Sequence, residues 1–141
     1  MKYILDKNTK IDWIEATEVI RKAPLGTREP DKLKRAFESS QAVVYVFDNK
    51  KLIGMGRALS DGEYQSAIYD VVILPNYQGK GIGKKMMLKL LEQLDTESII
   101  LFAAPGKEEF YSKLEFKKML TGMAIFSGEM SDPENGYITN T

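Results

Sequence analysis

The chain has 141 residues, of which 43% are apolar, a size and composition that suit one folded domain around one core. Its 20 basic and 20 acidic residues balance, so no broad positive field is present to hold nucleic acid or an anionic membrane as a partner. Cysteine and histidine are both absent, which excludes disulfides, thiol nucleophiles, histidine-ligated zinc and imidazole general bases.

The first ten residues lack the apolar segment of a signal peptide, and no apolar run approaches the length of a membrane-spanning helix. We therefore expect a cytoplasmic protein. The chain then begins with a short strand at residues 3–5 and a helix from Asp12 to Ala23, whose apolar residues recur at helical spacing. A second short helix is expected from Asp31 to Ser39, after a segment rich in proline and glycine.

Three strands of an antiparallel meander are predicted next. They cover Ala42 to Phe47, Leu52 to Leu59 and Tyr64 to Leu74, with turns at Asp48–Lys50 and Asp61–Gly62. A proline ends the third strand, because proline cannot donate to a sheet ladder.

A helix from Lys80 to Leu94 follows, with one apolar stripe that predicts packing on the sheet. A buried strand from Ser98 to Ala103 then completes a strand, helix, strand order, which predicts a parallel βαβ crossover. The sequence thus indicates an α/β fold with a mixed sheet, in which an antiparallel meander precedes a parallel crossover and helices cover both faces.

The C-terminal part predicts a short helix from Lys107 to Lys113 and one or two final strands between Phe116 and Phe126. No linker or repeat interrupts the chain. We expect a single domain over residues 1–128 and a loose polar tail over residues 129–141.

Glycines at positions 79, 81 and 83 lie where the third meander strand runs into the helix. Backbone N–H groups at such a helix start attract anions, phosphate above all, although the same glycines also suit a tight turn with no ligand. The spacing fits neither the dinucleotide-binding G-x-G-x-x-G motif nor the P-loop.

The segment Gln78-Gly-Lys-Gly-Ile-Gly83 resembles the signature [RQ]-x-x-G-x-[GA] of the GNAT superfamily of N-acetyltransferases, and Glu109–Phe116 resembles its [LF]-Y-x-x-x-G-F element. The resemblance covers most of the chain. It implies transfer of an acetyl group from acetyl-CoA to a primary amine, directly within a ternary complex and without a metal. Two rival functions are a nonenzymatic acyl-CoA sensor or interaction domain and a nucleotide-binding module.

The resemblance also assigns residues to acetyl-CoA. The edge of the third meander strand would pair with the pantetheine arm, and the glycine turn would hold the pyrophosphate. The strand residues are Val71, Val72 and Ile73, and the turn residues are Gln78, Gly79, Lys80, Gly81, Ile82, Gly83 and Lys84. A backbone N–H of the strand segment, freed by a local bulge, would stabilise the oxyanion.

Two side chains are candidates for catalysis. By the resemblance Tyr111 lies close to the thioester sulfur and acts as general acid, and its alternative role is to anchor a short helix. Asp70 interrupts an apolar strand face, and it is either a base or amine anchor, or part of an ion pair with Arg57 or Arg28. Glu63 and Tyr64, in the preceding turn, could reach a cationic acceptor or simply be solvated.

Two positions depart from the family pattern. Glu115 stands where the late element has its second glycine, and Ala104 stands where many relatives place an asparagine. The resemblance implies a small-molecule or peptide amine as the acceptor, whose binding site is shaped in this family by the early segment, here roughly residues 21–40, and by the C-terminal strands. A homodimer is also compatible with the resemblance.

Overall fold

One mixed sheet organises the first part of the chain, in a computed structural model that describes all 141 residues. Its strands lie in the order β1 to β5, and every neighbouring pair is antiparallel except β4 and β5, which are parallel. The strands are β1 (Lys2–Ile4), β2 (Ala42–Asp48), β3 (Lys51–Ser60), β4 (Gln65–Ile73) and β5 (Ser98–Ile100). The chain forms two compact units, Met1–Leu101 and Phe102–Thr141, and the sheet belongs to the first.

Four α-helices accompany these strands, and none is long and apolar enough to cross a bilayer. They are α1 (Trp13–Lys22), α2 (Pro30–Glu38), α3 (Ile82–Leu91) and α4 (Glu108–Ser112). The first two begin at acidic caps. Asp12 accepts from the backbone of α1 at 3.0 and 3.2 Å, and Glu29 accepts from that of α2 at 3.1 and 2.8 Å. These caps satisfy N–H groups that a helix start leaves unpaired.

Helices cover both faces of the sheet, as predicted. On one face the rings of Trp13 in α1 and Phe37 in α2 lie 6.3 and 5.6 Å from the ring of Tyr45 in β2. On the other face α3 packs closely against β3, where a Cβ added to Gly54 would lie 3.4 Å from the sulfur of Met86. Glycine at this position therefore lets the helix approach the sheet.

The buried Tyr45 hydroxyl has no hydrogen-bond partner, although the side chain is 0% exposed. Burial raises the pKa of Tyr45, so the phenol stays neutral. An unsatisfied buried polar group costs about 1–3 kcal/mol, and Tyr45→Phe should therefore raise the free energy of unfolding by about 1 kcal/mol. Chemical denaturation measures this change, with Tyr64→Phe, at a 63% exposed tyrosine, as the control. A clear loss of stability in Tyr45→Phe would contradict the expectation.

The parallel crossover is confirmed. The helix α3 connects β4 to β5, and the register of these two strands runs from Gln65 opposite Ser98 to Ala67 opposite Ile100. The apolar stripe of α3 is buried at Ile82, Met86, Met87 and Leu90. The strand β5 ends at Ile100, three residues before the predicted end.

The prediction of final strands between Phe116 and Phe126 is wrong, because this segment contains no strand. Its apolar side chains are open to solvent, with Leu120 and Met123 each 97% exposed and Ile125 103% exposed. A strand needs a paired neighbour and a buried face to be stable, and two strands alone are marginal in water. Strand-forming composition is therefore insufficient here.

The end of the second unit contains two short 3-10 helices, Gly128–Ser131 and Pro133–Asn135. The division into a domain over residues 1–128 and a tail over residues 129–141 stays a prediction. The ring of Tyr137 lies 6.1 Å from that of Phe102 and 6.4 Å from that of Phe126. An aromatic cluster thus anchors this segment within its unit.

Candidate active site

A glycine-rich turn joins the end of β4 to the start of α3. Gly79 and Gly81 have φ angles of +75° and +80°, a region that side chains with a Cβ avoid. A Cβ at either position would meet nothing within 4 Å, so open space lies beside both residues. Gln78 braces the turn by donating from Nε2 to the carbonyl of Ile73 at 2.9 Å.

The first turn of α3 presents backbone N–H groups without a side-chain cap. The first helical hydrogen bond runs from the N–H of Lys85 to the carbonyl of Gly81, at 3.2 Å, and no acidic residue lies in the first turn. Unpaired N–H groups and the positive end of the helix dipole both favour an anion. The predicted segment 78–84 therefore forms one continuous element suited to phosphate. Its Ile82 side chain is buried, which leaves only the peptide group to serve a ligand.

Tyr77 supports this turn, although no sequence motif indicates it. Its hydroxyl donates to Asp48 Oδ2 at 2.7 Å, and this hydrogen bond raises the pKa of Tyr77. The ammonium groups of Lys51 and Lys80 each lie 5.8 Å from the centre of its ring. Asp48 and Tyr77 are 29 residues apart, so only the folded chain brings them together.

The strand β5 covers only the first part of the outer edge of β4. β5 pairs with β4 only from Gln65 to Ala67, and no other strand lies on that side. The segment from Asp70 to Ile73 lies beyond the residues that pair with β5, and its outer side, called here the free edge of β4, comes immediately before the glycine turn. A free strand edge suits a ligand that carries amide groups, as pantetheine does.

A bulge opens the sheet at this edge, as the resemblance requires. The register with β3 shifts between Met55 and Arg57, so that Asp70 and Val71 together oppose one residue of β3. The N–H of Leu74 donates to β3 at 2.9 Å, and peptide groups alternate in direction along a strand. The peptide groups of Ile73 and of Val71 in the bulge therefore face the free edge.

Val72 does not share this orientation. It lies opposite Met55 in the β3 ladder, and its side chain is 4% exposed. The peptide groups of Val71 and Ile73 face the free edge, whereas that of Val72 is turned to β3, and contact of these three residues with the cofactor stays a prediction.

Asp70 forms ion pairs with both of the arginines that the sequence offered as its partners. Oδ1 lies 3.0 Å from Arg28 Nη2, and Oδ2 lies 2.8 Å from Arg57 Nε. The carboxylate is 10% exposed, so burial strengthens its need for these partners. The ion-pair alternative is confirmed, and a role for Asp70 as a base or amine anchor stays a prediction.

Tyr111 lies in α4 of the second unit and is half-buried. The rings of Phe110 and Phe116 lie 5.0 and 6.0 Å from its ring. Burial raises the pKa of Tyr111 to about 12, so the hydroxyl remains protonated at physiological pH. A protonated phenol can donate a hydrogen bond, which a general acid requires.

The departures from the family pattern have a structural signature at Glu115. This residue has a φ of +71°, in the left-handed region where glycine is favoured. The backbone therefore keeps the conformation that the family's glycine suits, although the side chain differs. Ala104 accepts a backbone hydrogen bond from Lys107 at 2.9 Å and offers no side-chain amide.

Glu63 and Tyr64 lie in the exposed turn before β4. Asp61 Oδ1 accepts from the backbone N–H groups of both residues, at 2.8 and 2.7 Å, and from that of Gln65 at 3.0 Å. These hydrogen bonds, with that from Gln65 the largest, lower the pKa of Asp61. The turn is thus organised by Asp61, and contact of its neighbours with an acceptor stays a prediction.

Comparison with known proteins identifies the family. Residues 9–116 match the sequence model of the family described as "Acetyltransferase (GNAT) family". The chain belongs to the GNAT acetyltransferase family. The chain is also 35% identical over 121 residues to the uncharacterized N-acetyltransferase ycf52 of Pyropia yezoensis, a match that covers 81% of this chain and 70% of the relative.

Solved structures of GNAT proteins confirm the fold. A GNAT family acetyltransferase from Streptococcus pneumoniae TIGR4 matches with a TM-score of 0.75 and 21% identity, over 91% of this chain and 98% of that one. The aminoglycoside N-acetyltransferase AAC(6')-Iy in complex with CoA matches with a TM-score of 0.67 and 13% identity, over 91% of this chain and 93% of that one. The mixed α/β fold expected for a GNAT protein is therefore confirmed.

Proposed function

We propose that this GNAT protein transfers an acetyl group from acetyl-CoA to a primary amine. The observation that carries the proposal is the continuity of two backbone surfaces in one unit, the free edge of β4 and the uncapped start of α3. The glycine turn between them leaves space beside Gly79 and Gly81, as a bound pyrophosphate requires. The AAC(6')-Iy complex supports the choice of CoA among phosphate ligands.

The chain would bind and orient acetyl-CoA mainly through its backbone. N–H groups between Gly79 and Lys84 would hold the pyrophosphate, and the peptide groups of Val71 and Ile73 would pair with the pantetheine arm. When bound, acetyl-CoA supplies the reactive thioester. An N–H of the bulge would stabilise the negative charge that develops on the thioester oxygen.

Proton transfers have few candidate groups, because the chain has neither histidine nor cysteine. Tyr111 would donate to the departing sulfur, while the amine would lose its proton to water. The absence of a thiol that could carry an acetyl group favours direct transfer in a ternary complex over a covalent acetyl-enzyme. The acceptor would be a small-molecule or peptide amine that meets residues 21–40, and the site of action would be the cytoplasm.

Binding of CoA is the first test, and CoA should raise the melting temperature. A ligand at 100 times its dissociation constant stabilises the native state by about 2.7 kcal/mol. Thermal-shift measurements with CoA, ATP and ADP separate a pantetheine-dependent site from a nucleotide site. No shift with CoA at millimolar concentration would contradict the proposal.

Transfer itself is tested by release of free thiol from acetyl-CoA with a panel of primary amines. We expect release that depends on both substrates. Stabilisation by CoA with no release for any amine would instead favour the acyl-CoA sensor.

A further inference from the structure

The backbone conformation of Asp70 is unusual for a strand residue. Its φ angle is +56°, within the left-handed region, and it occupies the bulge of β4. Aspartate tolerates this region better than most residues, but the conformation persists only where surrounding contacts hold it. The contacts that hold Asp70 are therefore informative.

Two arginines from different parts of the unit hold the Asp70 carboxylate, one on each oxygen. Arg57 belongs to β3, beside the bulge, whereas Arg28 lies in the loop between α1 and α2 and also donates to the carbonyl of Leu25 at 3.3 Å. The clamp, defined here as Arg28, Asp70 and Arg57, thus ties the α1–α2 loop to the bulge across 42 residues of sequence.

The clamp is rigid on its β3 side. The Arg57 guanidinium carbon lies 5.9 Å from the ring centre of Phe37 and 5.3 Å from that of Tyr69. Its side chain is 16% exposed, whereas that of Arg28 is 34% exposed. Arg57 is therefore part of the packed face, and Arg28 is the more accessible member of the clamp.

We propose that Arg28 and Arg57 are positioning residues, which act through Asp70 to fix the bulge so that its outward N–H meets the thioester oxygen. This inference rests on the proposed acetyl transfer. It follows from the position of the clamp, which holds Asp70 in the bulge, where the backbone of Asp70 and Val71 borders the free edge of β4. A shift of about 1 Å at such a donor is enough to cost ~10²-fold in rate.

The clamp assigns Asp70 a different task from that of a general base. A base needs a carboxylate oxygen free to accept the proton of the amine, and each oxygen of Asp70 already accepts from a guanidinium. A positioning role predicts a loss of turnover that is similar at every pH, whereas loss of a base removes a pH-dependent step.

Substitution of Arg28 tests the clamp, because its side chain is more exposed than that of Arg57 and can change with less loss of packing. Arg28→Gln should lower kcat by ~10²-fold, with the KM for acetyl-CoA changed by less than about twofold. Arg28→Lys should recover part of kcat, since an ammonium restores the charge but not the planar fork. The control is Lys50→Gln at an exposed residue of the β2–β3 turn, which removes the same charge and should leave both constants unchanged.

A double-mutant cycle with Asp70→Asn completes the test. Both substitutions break the same contact, that between Arg28 and Asp70. The double variant should therefore lose little more activity than Asp70→Asn alone. Amide hydrogen exchange should also be faster at Val72, whose peptide group beside the bulge faces β3, in Arg28→Gln at a temperature where the variant is fully folded.

Either of two results would overturn the proposed role of the clamp. The first is an unchanged kcat in Arg28→Gln. The second is that the losses of activity in Arg28→Gln and Asp70→Asn add in the double variant, while a limb of the pH profile of kcat disappears only in Asp70→Asn. Failure of the proposed function looks different, because the unsubstituted protein would then release no thiol with any amine.

Discussion

Replacing Gly81 with aspartate should weaken acetyl-CoA binding by ~10²–10³-fold, because placing a like charge against the pyrophosphate costs several kcal/mol. The turn itself should survive. Position 81 has a φ of +80° and nothing within 4 Å of an added Cβ, and aspartate tolerates the left-handed region, as Asp70 does at +56°. A carboxylate beside the start of α3 also complements the helix dipole, so unfolding is not the expected cause of weaker binding.

Two matched variants separate charge from bulk and from backbone strain. Gly81→Asn adds the same volume without the charge and should weaken binding much less than Gly81→Asp. Gly62→Asp makes the same change at another open glycine, with a φ of +76°, and should leave binding unchanged. Isothermal titration with acetyl-CoA gives the three constants. Normal affinity in a folded Gly81→Asp protein would place the phosphate site elsewhere.

Tyr111→Phe should lower kcat by ~10²–10⁴-fold if departure of the thiolate limits the rate, since general acid catalysis contributes that much. The variant keeps the ring, which lies among Phe110 and Phe116 at 5.0 and 6.0 Å, so the fold and the affinity for acetyl-CoA should change little. Steady-state kinetics with circular dichroism measures both effects. Tyr137→Phe, a second tyrosine of the same unit, is the control.

The choice of acyl donor sharpens this test of Tyr111. A thioester with a more acidic leaving thiol needs less help from an acid, so Tyr111→Phe should lower kcat less with that donor than with acetyl-CoA. Burial raises the pKa of Tyr111 to about 12, so the phenol stays protonated below that pH. Its ionisation should therefore produce no alkaline limb near pH 10 in the pH profile of kcat. Equal impairment with both donors would contradict the assignment of Tyr111 as the acid.

Local patterns predicted much of the first unit. The helical spacing before Ala23, the turn at Asp61–Gly62 between two strands and the stripe of α3 each depend on neighbours within a few residues, and each element is present. The glycine turn was predictable for the same reason, since a left-handed φ at Gly79 and Gly81 demands the residue that the sequence shows. The strands expected after Phe116 were not, because their formation depends on a partner that composition does not reveal.

The sequence by itself determined the order of strands and helices as far as β5, the glycine turn and the absence of histidine and cysteine chemistry, because these depend on residue type and short-range spacing. Tertiary structure alone decided which neighbours the polar side chains acquired. It paired Asp70 with Arg28 and Arg57, joined Tyr77 to Asp48, and turned Val72 away from the free edge of β4. The three side-chain contacts join residues 13 to 42 positions apart, which only the folded chain brings together. The register and bulge of β3 and β4 set the place of Arg57 beside Asp70 and the orientation of Val72, whereas Arg28 reaches Asp70 from the α1–α2 loop.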